Sequence, residues 1–293
     1  AAAQDESAPP AYKVELLIFS HLGPGALAAE AWDPAPALEY PDNARFLVDP
    51  RRVEALAAEF RGGVTLDASG RALILAGASE PVEVDDDAGV EAPAFAPFEL
   101  LDESGRELTP NAAALRRSGR YKILFHEAWI QPVTDRASAR PLIIDHSGDT
   151  GDWPELQGSI DLYLSRYLHL QTNLWLNTAG DYLPGDWWMP APPLSPPSVL
   201  VDDQPLHVAR EDPAPPSSAP APRTDDFQSV TAPSGMPGDQ GLVAVAPPWP
   251  YRHAVLVQEK RRMRSKEVHY LDHPLLGLVI KFTPVDDLEP DAS

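Results

Sequence analysis

Between Gly158 and Leu176 the side chains change character at nearly every step. Ile160, Leu162, Leu164, Leu168, Leu170, Leu174 and Leu176 hold even positions, while Ser159, Asp161, Tyr163, Ser165, Tyr167, His169, Gln171, Asn173 and Trp175 hold odd ones. An extended chain points successive side chains to opposite faces, whereas a helix of 3.6 residues per turn would mix the two sets. The stretch is therefore committed to sheet with one apolar and one wet face. At roughly 3.3 Å per residue it would reach on the order of 60 Å, beyond ordinary globular strands, so a bulge, bend or turn is predicted near Arg166 or Thr172. The wet face is rich in rings and amides, which suits sugars or peptides. Tyr167, His169 and Trp175 are its candidate ligand contacts, with Gln171 and Asn173 supplying directional hydrogen bonds.

Weaker patterns on either side complete the sheet. Tyr12–Ser20 predicts a strand with Tyr12, Val14, Leu16 and Ile18 on one face, and Leu17 and Phe19 extend burial to the other face at its far end. Arg71–Ala76, Tyr121–Gln131, Leu142–Asp145, Tyr251–Glu259, Lys266–His273 and Leu275–Thr283 are further strand candidates. Two short helices are predicted. Pro50–Phe60 has Asp49 as its cap and Gly62-Gly63 as its stop; Thr109–Arg117 has Thr109 as its cap, Pro110 in the first turn, basic residues in the last and Gly119 beyond. These patterns predict an α+β fold, mainly antiparallel sheet with short helices.

Residues 190–250 hold 16 of the 34 prolines, diluted by Ser, Ala, Asp and Gly. Such a composition buries too little apolar surface to offset its ordering entropy, so a mostly disordered linker or insertion is expected there. The expected organisation is a flexible tail (1–11), the first part of an α+β domain (12–189), the Pro-rich insertion, strands completing the same domain (251–285) and an acidic tail (286–293). Residues 83–103, with Asp85-Asp86-Asp87, read as an acidic loop.

A formal charge of −21 disfavours nucleic acid and anionic lipid as partners. Without cysteine there is no disulfide, thiolate metal site or cysteine nucleophile. No apolar run approaches the ~18–20 residues of a membrane-spanning helix. The start, Ala-Ala-Ala-Gln-Asp without Met, resembles what removal of a secretory signal leaves.

Against this acidic background Lys260-Arg-Arg-Met-Arg-Ser-Lys266 stands out. Cations so crowded need an anionic partner. Either the protein's own acids, such as Asp85–Asp87, neutralise them, or Arg261, Arg262, Arg264 and Lys266 form a strand edge whose guanidinium forks take carboxylates from outside. His269 and His273 are four apart, but Pro274 and the alternating pattern argue for strand and turn, so no metal site is assigned. His126-Glu127 begins like a metalloprotease motif, yet Ile130 occupies the second ligand position, and Glu127 reads as an exposed strand residue. No nucleophile elbow, phosphate-cradling loop or dinucleotide fingerprint occurs, so neither a cofactor nor a catalytic residue is assigned. Trp129, Trp153, Trp187, Trp188, Trp249 and Tyr270 are read mostly as packing or loop anchors.

Four segments carry a family resemblance: Tyr12–Phe19, Tyr121–Pro132, Leu156–Ile160 with Arg166–Leu170, and above all Arg261-Arg-Met-Arg-Ser-Lys-Glu-Val-His-Tyr-Leu-Asp-His-Pro-Leu-Leu-Gly277. Together they resemble the CsiV family of secreted proteins of Gram-negative bacteria, over roughly residues 12–20 and 121–283. The resemblance implies a periplasmic, non-enzymatic protein that binds peptidoglycan and cooperates with an outer-membrane lipoprotein activator of a bifunctional penicillin-binding protein. It transfers no binding residues. The competing expectations are an envelope adaptor without glycan affinity, docking through strand edges and its Pro-rich arm, and a hydrolase or transferase with an unrecognised site.

Overall fold

The alternating stretch folds back on itself. Leu156–Leu164 and Leu168–Thr178 form an antiparallel hairpin around Ser165, Arg166 and Tyr167, closed by a hydrogen bond from the Ser165 N–H to the Tyr167 carbonyl (3.0 Å). The turn falls at Arg166 and not at Thr172. Even residues pair with even ones, Leu162 with Leu170 and Gly158 with Leu174, so the turn preserves the parity and all the leucines remain on one side.

The computed structural model describes residues 9–23, 30–60, 63–75, 96–183, 185, 188–202 and 249–287. In chain order the elements are β1 (Ala11–His21), β2 (Arg45–Phe46), α1 (Pro50–Glu59), β3 (Val64–Leu66), β4 (Ala72–Leu75), α2 (Thr109–Ser118), β5 (Tyr121–Pro132), β6 (Leu142–Ile143), α3 (Ser147–Thr150), β7 (Leu156–Leu164), β8 (Leu168–Thr178), β9 (Val199–Asp202), β10 (His253–Val257), β11 (Lys260–Met263), β12 (Val268–Asp272) and β13 (Leu276–Pro284). One sheet runs β12-β13-β1-β5, all antiparallel. A second runs β10-β8-β7-β6-β2 with β11 also on β8, and a small third runs β3-β4-β9. Pairing is antiparallel except for β2 with β6 and β4 with β9, so the fold is α+β and mostly antiparallel, with three short helices.

The main core lies between the first two sheets. Val14, Leu16 and Ile18 of β1 and Leu278, Ile280 and Phe282 of β13 share one cluster with Ile160, Leu162, Leu168, Leu170, Leu174 and Leu176 of the hairpin. The other face of β1 holds Leu17 and Phe19, which pack with Leu108 and Ala112 of the α2 region, so both faces are buried as its sequence predicts.

Several local expectations are corrected. Asp49 does cap α1, accepting from the Arg51 N–H at 3.0 Å. Thr109 does not cap α2; its hydroxyl donates to the Arg106 carbonyl, and the buried Glu15 of β1 takes the free N–H groups of Glu107 (2.7 Å) and Leu108 (2.8 Å). No side chain caps the first turn of α2; the Glu15 carboxylate instead fixes the two residues that lead into the helix to β1. The Pro-rich stretch is not an excursion from its first residue. Pro192 and Pro193 accept hydrogen bonds from the Trp153 indole and the Gln157 amide, Ser195 is buried, and β9 joins β4. Part of the acidic loop is also held, since Phe98 donates to the Ile130 carbonyl at 2.7 Å and Leu100 bridges to Trp129. The N-terminal tail through residue 8, Asp85–Asp87, residues 203–248 and the tail from 288 lie outside the described residues.

Candidate functional site

β11 lies beside β8 with Lys260 opposite Gln171, Arg261 opposite Leu170, Arg262 opposite His169 and Met263 opposite Leu168. This register divides the cationic run. Met263 is buried against the leucine side, whereas Lys260 and Arg262 share the face of Tyr163, His169 and Gln171. Arg261 has the other parity. Arg264 lies beyond the strand, 3.5 Å from the Glu267 carboxylate, and Lys266 sits in a turn at φ 67°.

The ledge is built of alternating rings and cations. Tyr163 and His169, cross-strand partners, stack with centroids 4.9 Å apart and planes 8° from parallel. The Arg262 guanidinium lies 4.4 Å from the Tyr167 ring centroid and Arg166 lies 5.6 Å from it; Lys260 and Arg136 lie 5.8 and 5.5 Å from Tyr163. The electron-rich ring faces moderate the mutual repulsion of these cations. Among the described residues no carboxylate is within ion-pair distance of Lys260, Arg261 or Arg262. Burial, followed by Lys260, Arg262 and Arg136, pushes the His169 ring below its ordinary pKa, so it stands there as a neutral hydrogen-bonding group, 3.1 Å from the Ser165 hydroxyl. Tyr167 is 39% exposed.

Farther along the same face the ledge opens into a polar groove of about 470 Å³, lined by Glu39, Ser159, Asp161, Gln171, Asn173 and Gln258 among others. Asn173 is fixed there, donating to the Glu39 carbonyl (2.8 Å) and accepting from Gln258 (3.0 Å).

Of the residues predicted from sequence, Arg262, Tyr167 and His169 come together. Arg261, Arg264 and Lys266 do not join them. Trp175 is withdrawn altogether: it has no exposed surface, meets Tyr40 edge-on at 4.9 Å, packs with Met189 and Ala254, and donates its indole N–H to Gln157 (3.2 Å). The wet face is open from the hairpin turn to the groove at Ser159 and Asn173; beyond it the chain around Leu38, Tyr40 and Met189 roofs Trp175. Sequence reasoning placed Lys260 in the cationic run and Tyr163 on the wet face without naming either as a ligand contact, and it missed Arg136. The signal for Lys260 was Met263: one apolar residue among cations marks the inward parity of an edge strand.

His126 and Glu127 are likewise reassigned. The His126 ring is buried, 2.8 Å from Glu15, and Glu127 is half-buried and paired with Arg106 at 2.5 Å instead of standing exposed. Burial raises the Glu127 pKa and Arg106 opposes it. Both border a larger cleft of about 610 Å³ between α1, β5 and α3, with Val53, Leu56, Phe125, Ile143 and Leu156 in its walls. Several of its charged groups are engaged with one another, as Arg52 is with Asp149 at 3.0 Å. Burial works against ionisation of Asp149, yet His146, Ser198 and Arg52 hold its carboxyl well below the usual range. No group of three His, Asp or Glu side chains suited to a metal occurs among the described residues, and no helix there is long and apolar enough to cross a membrane.

The model of a protein family described as "Peptidoglycan-binding protein, CsiV" matches residues 1–285. No curated protein and no solved structure matches the chain significantly.

Proposed function

The chain belongs to the CsiV family, and on that premise we propose that it binds peptidoglycan as a non-enzymatic accessory protein, through the ring-and-cation ledge of β7, β8 and β11. The supporting observation is that Arg262 and Lys260 lie over tyrosine rings rather than against carboxylates of the described chain. A guanidinium held this way keeps its donor fork free for a carboxylate, the group that wall stem peptides expose in numbers. Tyr167, exposed beside Arg262, adds ring surface for the neighbouring sugar. The net charge of −21 opposes a polyanionic wall at long range, but screening over ~8–10 Å leaves short-range contacts at the ledge in control.

In this reading the protein works in the periplasm and supports wall synthesis by docking to a lipoprotein activator of a penicillin-binding protein. The outer edge of the first sheet suits such docking, since β12 exposes Val268 and Tyr270. The alternative, an adaptor without glycan affinity, is separated by one experiment. Purified protein is sedimented with isolated sacculi at low salt. It is expected in the pellet, and a K260E/R262E double variant is expected to bind at least about tenfold more weakly, the loss of two charge-assisted contacts. Native protein left in the supernatant overturns wall binding.

A further inference from the structure

Asp161 is the one carboxylate on the face of the hairpin that leads from the groove to the ledge. It pairs across the strands with Gln171, whose other neighbour is Lys260. Neither oxygen of Asp161 has a hydrogen-bond partner among the described residues, and Oδ1 is shut off from solvent. Burial raises its pKa, opposed by Arg136. A half-buried carboxylate with no donor is costly to keep, and folds retain such groups where something else supplies the donor. The adjoining Gln171 amide makes no side-chain hydrogen bond either, and Glu39, an exposed residue, lines the same groove.

The face therefore carries a charge gradient. Glu39 and Asp161 line the groove end; Lys260 and Arg262 of β11 make the ledge end basic, with Arg136 near both Tyr163 and Asp161; Gln171 lies between. Neighbouring strands are ~4.8 Å apart, so from β7 across β8 to β11 the two signs are separated by two strand spacings, on the order of 10 Å, bridged by long side chains.

We propose that this groove is a subsite for a zwitterionic amino-acid group, with Asp161 taking an ammonium, Gln171 taking the adjoining amide, and Lys260 and Arg262 taking a carboxylate. Within the wall-binding reading on which this rests, the ligand class is the uncross-linked stem peptide, whose terminal diamino acid carries ammonium and carboxylate on one carbon. Glycan alone has no such pair. Cross-linking converts the ammonium to an amide, so the subsite favours free stems over cross-linked ones.

The test titrates the full chain with a soluble stem tripeptide ending in meso-diaminopimelate, and with the same tripeptide acetylated on its side-chain amine, by calorimetry. In parallel, native protein is sedimented with intact sacculi. The free-amine peptide is expected to bind the native protein at least about tenfold more tightly than its acetylated form, and D161N is expected to abolish that preference. The acetylated peptide probes the same contact on unaltered protein, so the result does not depend on the variant. Equal binding of the two peptides, or an undiminished preference in D161N, overturns the subsite. Sacculus binding without tripeptide binding removes the subsite and leaves wall binding standing; no binding to either removes both.

Discussion

Arg262 and Arg264 are two residues apart in one cationic run and have different surroundings. Arg262 covers Tyr167 at 4.4 Å; Arg264 faces Glu267 at 3.5 Å. Charge reversal at Arg262 is expected to weaken sacculus binding several-fold, and reversal at Arg264 to change it less than about twofold, the small effect usual for an exposed pair. Sedimentation of both variants side by side distinguishes a specific ledge from a general attraction, which would make them equal. Trp175 behaves differently again. Because it is fully buried against Tyr40 and Met189, Trp175→Ala is expected to cost about 3–5 kcal/mol of stability by urea unfolding, with any binding loss following the unfolded fraction. A variant of unchanged stability that no longer bound the wall would show Trp175 to be a contact after all. Glu15 holds two backbone N–H groups and the His126 ring together in the interior, so Glu15→Ala is expected to cost about 3 kcal/mol or more.

The hairpin shows how much of an element the sequence contains. Its alternation predicted sheet and the two faces, because those follow from the period-2 geometry of any extended chain, and its length predicted a break near Arg166 or Thr172, of which Arg166 is where the turn lies. It did not say what would lie over each face. Whether Trp175 or Tyr167 stays open depends on Leu38 and Tyr40, which reach the hairpin from far away in sequence, and on Met189, which returns to it after β8, and no local pattern carries that information. The start of α2 was misread for the same reason: Thr109 is a good local cap candidate, yet the entry to the helix is fixed by Glu15, which reaches Glu107 and Leu108 only once β1 is in position. The cationic run was legible as a feature, but its division between two faces waited on the register of β11. Inside the hairpin Gly158 is required by conformation. It sits in β7 at φ 121°, and an added Cβ would fall 2.2 Å from the Asn173 carbonyl oxygen. Gly158→Ala is expected to destabilise by about 2–4 kcal/mol in thermal or urea unfolding, from strain and the shifted strand.

For the whole molecule, the joining of early and late chain sets the pH response. His253 opens β10 and is fully buried; its Nε2 is 2.8 Å from the Asp33 carbonyl and its Nδ1 is 2.6 Å from the Tyr182 hydroxyl. The pairing fits a neutral ring donating through Nε2–H and accepting at Nδ1. Burial lowers its pKa, partly opposed by Asp33, so the unfolded chain takes up this proton more readily than the folded one. Its contribution to stability is full above the ordinary histidine pKa of about 6.5 and is lost as pH falls below it. The thermal midpoint is expected to drop between pH 7 and pH 5.5, with a shallower slope in H253N; a midpoint indifferent to pH in this window contradicts that account. Function at this scale is a matter of which face meets the wall. Hydrogen–deuterium exchange of the full chain, free and bound to sacculi, reads that directly. Protection confined to β7, the β8 half nearest the turn and β11, with α2 and the outer face of β1 unchanged, is the predicted footprint, whereas protection elsewhere with β11 exchanging as in the free protein would contradict it.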